Sequence, residues 1–165
     1  DFIRDLLTKI KKEIPNSIIR TTYIVGFPGE TEEDFNELYK FTEEFEFDRL
    51  GVFTYSPEED TASFDFKDQI SEDIKQDRQE RIMKLQKQIA RKKNKKMKNQ
   101  MHSTIVEAYD EESKFYYGRS YAFAPDGIDG MIVFQSTKTL EIGDIVPVMI
   151  KSAFDYDLIG DAVFK

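Results

Sequence analysis

The segment TTYIVGFPGETEEDF, residues 21–35, has the most specific pattern in the chain. Gly26 and Gly29 follow a run rich in β-branched residues. A glycine at the carboxyl end of a strand either gives a ligand close access to the backbone or only allows the angles of a tight turn. A phosphate-binding loop is disfavoured, because Glu30 and the acidic residues after it occupy the helix end that would attract an anion. The spacing alone leaves two interpretations, a ligand-binding turn and a structural one.

The other charged groups that could do chemistry favour structural interpretations. The acidic run at 58–60 is typical of a solvated loop. A single basic run lies near the end of a predicted helix, where positive charge complements the helix dipole, and its alternative is contact with an RNA backbone. This run consists of Arg91, Lys92, Lys93, Lys95, Lys96 and Lys98. His102 stands alone, and we expect it at the surface. The sequence has no cysteine, which excludes disulfides, thiolate metal sites and a cysteine nucleophile within these residues.

Hydrophobic periodicity predicts alternating helices and strands in the first part of the chain. Apolar residues three or four apart predict a helix over residues 1–14, and β-branched runs predict strands at 18–25 and 50–55 that are covered on both faces. Thr31 and Asp34 have capping-box spacing for a helix between these strands. Ser71 can begin a long helix that runs into the mid-nineties. Its predicted apolar stripe contains Ile74, Ile82, Leu85 and Ile89. This order predicts parallel strands with right-handed crossovers, as in an α/β sheet or part of a βα barrel.

At residue 101 the sequence pattern changes from helical periodicity to short runs typical of β-strands. Five such runs, STIVEAY, KFYYGRSYA, GMIVF, IVPVMI and FDYDLIGDAVF, are separated by turn residues. They predict a small all-β Greek-key barrel of the OB type and a domain boundary between 1–100 and 101–165. The second domain has 11 acidic and five basic residues, a net charge of −6. Its aromatic residues could stack on bases, but a positive groove is missing, so the charge favours a basic protein partner over RNA.

The amino-acid composition and net charge are those of an ordinary folded protein. Hydrophobic residues make up 39% of the chain, and the net charge is −8. Nowhere are there 18 consecutive apolar residues, and the amino-terminal segment lacks the apolar core of a signal peptide, so we expect no membrane partner and a cytoplasmic location.

Four sequence motifs taken together resemble those of a known family. GFPGETEEDF, FDRLGVFTYS, YYGRSYAFAP and YDLIG, in this order and spacing, are similar to the RimO branch of the radical S-adenosylmethionine (SAM) methylthiotransferases. The resemblance implies that the chain is the carboxy-terminal part of a larger enzyme. Residues 1–100 would hold the last two strands and the long final helix of a radical SAM barrel, and 101–165 a TRAM domain. The parent would carry SAM and two four-iron four-sulfur clusters. None is expected on this chain, which would be inactive alone, with no catalytic residue or metal ligand.

The resemblance also implies where the cofactor binds. The family's adenine-contacting motif matches Ile24, Gly26 and Glu30, although Thr22 replaces its leading glycine. Phe53 and Tyr55 would flank the same pocket, and they are equally well explained as core aromatics. In the following loop, Asp60 stands where the family usually has a glycine.

The implied substrate is an aspartate of the basic ribosomal protein S-twelve, methylthiolated at its β-carbon. The candidate contacts on the second domain are Asp110, Glu111, Glu112, Tyr116, Tyr117 and Arg119. Two alternatives remain open. A tRNA methylthiotransferase of the MiaB type predicts a basic TRAM domain, which makes a tRNA partner unlikely here. A non-catalytic RNA- or protein-binding module would bind through the barrel and use the first half of the chain as a dimerisation arm. The outer edges of the two predicted strands should be unpaired, so we expect the chain on its own to self-associate or to have a disordered first half.

Overall fold

The computed structural model describes residues 2–164, with the backbone alone described at Asp126. Contacts divide the chain into two compact units, Asp1–Ile89 and Ala90–Lys165. None of the helices within residues 2–164 combines the length and the apolar character that crossing a membrane requires.

The first unit alternates helices and strands. Helix α1 spans Phe2–Glu13, strand β1 Arg20–Val25, helix α2 Glu32–Phe45 and strand β2 Arg49–Thr54, followed after a long loop by helix α3, Glu72–Lys96. The two strands pair in parallel, from Arg20 opposite Arg49 to Val25 opposite Thr54. The predicted helix–strand alternation and parallel pairing are therefore confirmed.

The start of α2 is fixed by the capping box that the sequence predicts. The Thr31 hydroxyl accepts the Asp34 N–H at 3.1 Å, and the Asp34 carboxylate accepts the Thr31 N–H at 2.9 Å. Hydrogen bonds from the Thr31 hydroxyl and backbone stabilise the charged carboxylate and lower the pKa of Asp34. Two otherwise unpaired donors at the helix end are thereby satisfied.

The two-stranded sheet buries only one of its faces, which corrects the expectation of strands covered on both faces. Val25, Leu50 and Val52 are buried in a core with aromatic residues of α2 and the following loop. Alternate residues of β1, including Thr22 and Ile24, point the other way and are exposed. Side chains of a strand alternate between faces, so one open face exposes every second residue.

The buried face of α3 differs from the predicted stripe. Ile74 is 46% exposed, whereas Lys75 and Arg78 are 2% and 4% exposed. These two share a face with Ile82, Gln86 and Ile89, which are also buried. The Gln86 side chain donates to the carbonyl of Phe47 at 3.1 Å. The predicted burial of Ile82 and Ile89 is therefore confirmed and that of Ile74 is wrong. Apolar periodicity does not detect the polar members of the face, which are buried against specific partners.

The second unit is a closed five-stranded barrel. Its strands are β3, Met101–Asp110, β4, Phe115–Arg119, β5, Ile132–Gln135, β6, Ile145–Ala153, and β7, Leu158–Ala162. They close in the order β3-β4-β5-β7-β6, with β5 and β7 parallel and the other pairs antiparallel. The predicted small all-β barrel is confirmed.

The last turns of α3 pack as part of this second unit. Asn94 is completely buried, and its side-chain amide donates to the carbonyl of Asp155 at 3.2 Å. The guanidinium of Arg91 lies 3.8 Å from the Asp155 carboxylate. The second unit therefore begins within α3, at Ala90, whereas the sequence pattern changes only at residue 101.

Candidate functional site

Two large apolar side chains are exposed next to each other near the carboxyl ends of β1 and β2. Ile24 and Phe53 are paired in the parallel register and are 60% and 61% exposed. Folds with parallel strands bind their ligands at the carboxyl ends of the strands. Adjacent exposed apolar residues offer a surface on which a flat, largely apolar group can pack. This pair is the part of the predicted cofactor site that is open to a ligand.

Tyr55, also predicted for the cofactor site, is a packed residue that is only 7% exposed. Its hydroxyl donates to the carbonyl of Ser63 at 3.0 Å, and its ring meets that of Phe27 edge to face, with centroids 5.1 Å apart. The ammonium of Lys75 lies 5.5 Å from the Tyr55 ring centroid. These contacts match the core-aromatic interpretation for Tyr55, whereas Phe53 stays exposed.

Gly26 follows β1 with φ +74°, a left-handed conformation. The space beside its α-carbon is filled by Lys75, because an added Cβ would lie 2.3 Å from Lys75 Cγ. Gly29 has φ +85°, and a Cβ there would meet nothing within 4 Å. Of the two interpretations for these glycines, backbone conformation accounts for both, and at Gly26 it is a neighbouring lysine stem that comes close to the backbone.

Glu30 closes the turn that begins at Gly26. The Gly26 N–H lies 3.1 Å from each oxygen of the Glu30 carboxylate. The same carboxylate accepts a hydrogen bond of 2.6 Å from Nη1 of Arg78, and the two side chains are only 13% and 5% exposed. This ion pair is nearly buried, so the turn is held from inside the unit and Glu30 is not a free carboxylate.

The predicted substrate residues lie on the hairpin of β3 and β4 in the second unit. The Asp110 carboxylate accepts hydrogen bonds from the Glu112 N–H at 2.9 Å and the Ser113 hydroxyl at 2.6 Å, so it shapes the turn. These hydrogen bonds, that of Ser113 first, lower the pKa of Asp110. Glu111 and Glu112 are exposed at the tip. The tip of the hairpin therefore exposes two carboxylates.

The remaining predicted substrate residues have different surroundings. Tyr116 is 6% exposed, and its hydroxyl accepts the N–H of Leu140 at 3.2 Å. Arg119 pairs with Glu107 at 2.6 Å. Tyr117 is half-buried and lines a shallow cavity of 360 Å³. The structure thus brings Glu111, Glu112 and Tyr117 to accessible positions and places Tyr116 in the barrel core.

His102 is buried, which corrects the expectation of a surface histidine. The residue is 2% exposed, and Nδ1 lies 3.2 Å from the Ser120 hydroxyl. Nε2 has no hydrogen-bond partner among the described residues. Burial lowers the pKa of His102, because the charged ring loses solvation. The signal that sequence reasoning missed is alternation, since His102, Thr104 and Val106 share the inward face of β3.

Two charged runs have the surroundings predicted for solvated segments. Residues 58–60 are all exposed, and Asp60 has φ +66°. The basic run covers the end of α3, with Lys93, Lys95 and Lys96 in its last turn. Among residues 2–164, no group of three or more histidine, aspartate or glutamate side chains is arranged to hold a metal ion.

Comparison with known proteins gives a consistent assignment for both units. Residues 100–163 match the family model of the TRAM domain. The chain is 48% identical over 161 residues to the ribosomal protein uS12 methylthiotransferase RimO of Acetivibrio thermocellus, which covers 98% of the chain and 35% of that protein. The RimO of Clostridium botulinum is 49% identical, with 96% and 35% covered. That of Aquifex aeolicus is 45% identical, with 96% and 37% covered.

The chain spans about a third of the length of these relatives, 35% for the first of them. Within that span the similarity is continuous, since the alignments cover both the α/β unit and the barrel. The four sequence motifs that resemble the RimO branch and the match to the TRAM domain agree with this similarity. The chain belongs to the RimO family of methylthiotransferases.

Proposed function

We propose that the whole protein carrying this chain is a radical SAM methylthiotransferase that modifies ribosomal protein uS12 at the β-carbon of an aspartate. The observation that carries the proposal is the identity of 45–50% over at least 96% of the chain to proteins with that name. The cytoplasm, where such a substrate is available, is the compartment we propose for the reaction.

The exposed residues at the strand ends fit the adenosyl part of SAM. Ile24 and Phe53 provide an apolar surface, and the turn from Gly26 to Glu30 borders β1. When bound, SAM would supply a sulfonium whose carbon–sulfur bond is cleaved by one electron from an iron–sulfur cluster held by other parts of the protein. The role of this chain would be to bind and orient the nucleoside on Ile24 and Phe53, with the turn held rigid by Glu30.

The residues of this chain do not fit an iron–sulfur cluster. Such clusters are held by cysteine thiolates, and the sequence has no cysteine. In this proposal, the present residues contribute to the SAM pocket and to substrate binding, and the cluster ligands belong to other parts of the protein.

The charge of the barrel supports a basic protein as its partner. Residues 101–165 have a net charge of −6, and Glu111 and Glu112 are exposed at the tip of the β3–β4 hairpin. Complementary charge accelerates encounter and orients a partner. The same charge repels the phosphate backbone of a tRNA, so the tRNA alternative has no support from this surface.

The proposal is tested with the whole protein, purified uS12 and a tRNA. Mass spectrometry should show one methylthio group on uS12 after incubation with SAM, a reductant and sulfide, which supplies the sulfur atom. Glu111→Lys and Glu112→Lys should each weaken uS12 binding about five-fold at low salt, which corresponds to about 1 kcal/mol. Glu43→Lys makes the same charge change at an exposed position of α2 and should have little effect. Tight tRNA binding without affinity for uS12 would refute the proposal.

A further inference from the structure

Helix α3 holds the turn from Gly26 to Glu30 through two buried cationic side chains. Lys75 and Arg78 are 2% and 4% exposed, values unusual for charged residues. The lysine stem fills the space beside Gly26, as described above. The arginine reaches the other end of the turn.

Arg78 contacts both the side chain and the backbone of Glu30. Its Nη1 donates to Glu30 Oε1 at 2.6 Å and lies 3.2 Å from the Glu30 carbonyl oxygen. The Glu30 carboxylate in turn accepts the Gly26 N–H. Three groups therefore form one continuous link from α3 to the last residue of the turn and back to its first.

Burying the charged guanidinium of Arg78 costs free energy of solvation unless specific contacts offset that cost. The Nε of Arg78 is buried and has no hydrogen-bond partner within residues 2–164. A buried ion pair is frequently no better for stability than apolar residues of similar size. A methionine or leucine would fill this space next to Phe35 without leaving an N–H unpaired. What distinguishes arginine at this position is therefore the set of guanidinium contacts, with the side chain and carbonyl of Glu30 and, through Nη2, with the Glu32 carboxylate at 3.5 Å.

We propose that Arg78 is a positioning residue for the nucleoside that binds at Ile24 and Phe53, because it keeps the turn after β1 in one conformation through Glu30. The identity of the nucleoside as SAM rests on the proposed function. Arg78 does not touch the ligand in this proposal and acts only through Glu30. Its removal should lower the fraction of molecules whose turn is ready to bind, and the apparent dissociation constant rises in inverse proportion to that fraction.

The first experiment measures the turn without ligand. Hydrogen exchange of the amides of Gly26, Gly29 and Glu30 is compared in the unaltered protein and in Arg78→Met. Those of Gly29 and Glu30 donate to the carbonyls of Asp68 and Phe27. We expect exchange at all three positions to become at least about ten-fold faster in the variant, as local opening becomes easier. Amides of β1 and β2 report whether the first unit of the variant is folded, and amides of β5 serve as the reference in the other unit.

Two further variants keep the experiment decisive if Arg78→Met disturbs the whole unit. Arg78→Lys retains one charged donor and should restore part of the protection. Glu30→Gln retains an acceptor for the Gly26 N–H and removes only the charge. The matched control is Arg81→Met. Arg81 also lies on α3 and pairs with Asp77 and Glu32 at 3.2 and 3.1 Å. It shares Glu32 with Arg78, whose Nη2 lies 3.5 Å from that carboxylate, so the control removes a contact to Glu32 and keeps the link to Glu30. This control should leave exchange in the turn unchanged.

The second experiment measures SAM affinity of the whole protein by equilibrium dialysis. If Arg78→Met reduces the competent fraction to about a tenth, the dissociation constant rises about ten-fold, with partial recovery in Arg78→Lys and no change in Arg81→Met. Unchanged exchange in the turn, or loosened exchange with unchanged affinity, would overturn the positioning role. Failure of the unaltered protein to bind SAM would overturn the proposed function and its ligand, whereas the exchange data would still decide whether Arg78 orders the turn.

Discussion

Replacing Gly26 by alanine should destabilise the first unit far more than the same replacement at Gly29. Both glycines have left-handed backbone angles, with φ +74° and +85°. They differ in their neighbours. A Cβ at Gly26 would lie 2.3 Å from Lys75 Cγ and 3.2 Å from Lys75 Cβ, whereas a Cβ at Gly29 would have no heavy atom within 4 Å.

These distances predict a different loss of unfolding free energy for each of the two substitutions. The left-handed conformation costs an alanine about 1–2 kcal/mol, and this is the whole cost expected at Gly29. Forcing an extra methyl into a packed contact adds about 1–3 kcal/mol. Lys75 cannot simply swing its far end away, because the contact is with the inner part of its stem. We therefore expect Gly26→Ala to cost about 2–5 kcal/mol.

The assay is urea unfolding followed by the NMR amide signals of β1 and β2, which report on the first unit alone. A double-mutant cycle with Lys75→Ala isolates the contact, since residues in contact are not additive. In the Gly26→Ala/Lys75→Ala protein, the steric part of the loss should be recovered, about 1–3 kcal/mol, while the part due to φ remains. The reasoning is refuted if Gly26→Ala and Gly29→Ala cost the same, or if Lys75→Ala recovers nothing.

Two further predictions concern single residues with well-defined surroundings. Asp60 has φ +66° in an exposed loop, so Asp60→Gly should raise the free energy of unfolding of the first unit by about 0.5–1 kcal/mol. Asp60→Ala should lower it. Urea unfolding midpoints of the two variants check both signs. Burial lowers the pKa of His102 from 6.5, so the unfolded barrel binds its proton first as the pH falls. The stability contributed by neutral His102 should be full above pH 6.5 and decline below it, until the folded pKa is reached. Urea midpoints from pH 8 to 5, compared with those of His102→Asn, measure this contribution, and parallel curves for the two proteins would contradict it.

Local signals in the sequence were sufficient for the backbone of both units. The spacing of Thr31 and Asp34 predicts the capping box because the motif involves only neighbours in sequence. Alternating apolar runs after residue 100 predict the five strands of the barrel for the same reason. Boundaries differ by two residues for β1, which begins at Arg20 instead of residue 18, and by up to four in the barrel, where the predicted run that starts at Phe154 forms a strand only from Leu158.

Side chains whose burial depends on distant partners could not be predicted in this way. Lys75 and Arg78 lie where charged residues are normally solvated, and their burial depends on partners far earlier in the chain, among them Gly26 and Glu30, more than 40 positions away. Apolar periodicity assigns Ile74 to the core in their place, and the structure leaves it 46% exposed. His102 is a comparable case, since a lone polar residue carries no signal except its alternation with Thr104.

The glycine turn illustrates how one pattern can have both a structural and a functional explanation. The backbone angle of Gly26 and the stem of Lys75 each require a residue without a side chain, so glycine at this position needs no ligand to explain it. A ligand cannot use the space beside the Gly26 α-carbon, because Lys75 already fills it. In the proposed site the ligand contacts instead the exposed surface of Ile24 and Phe53. The glycine would then serve binding indirectly, since it lets α3 pack against the turn and lets Glu30 and Arg78 fix the turn beside that surface.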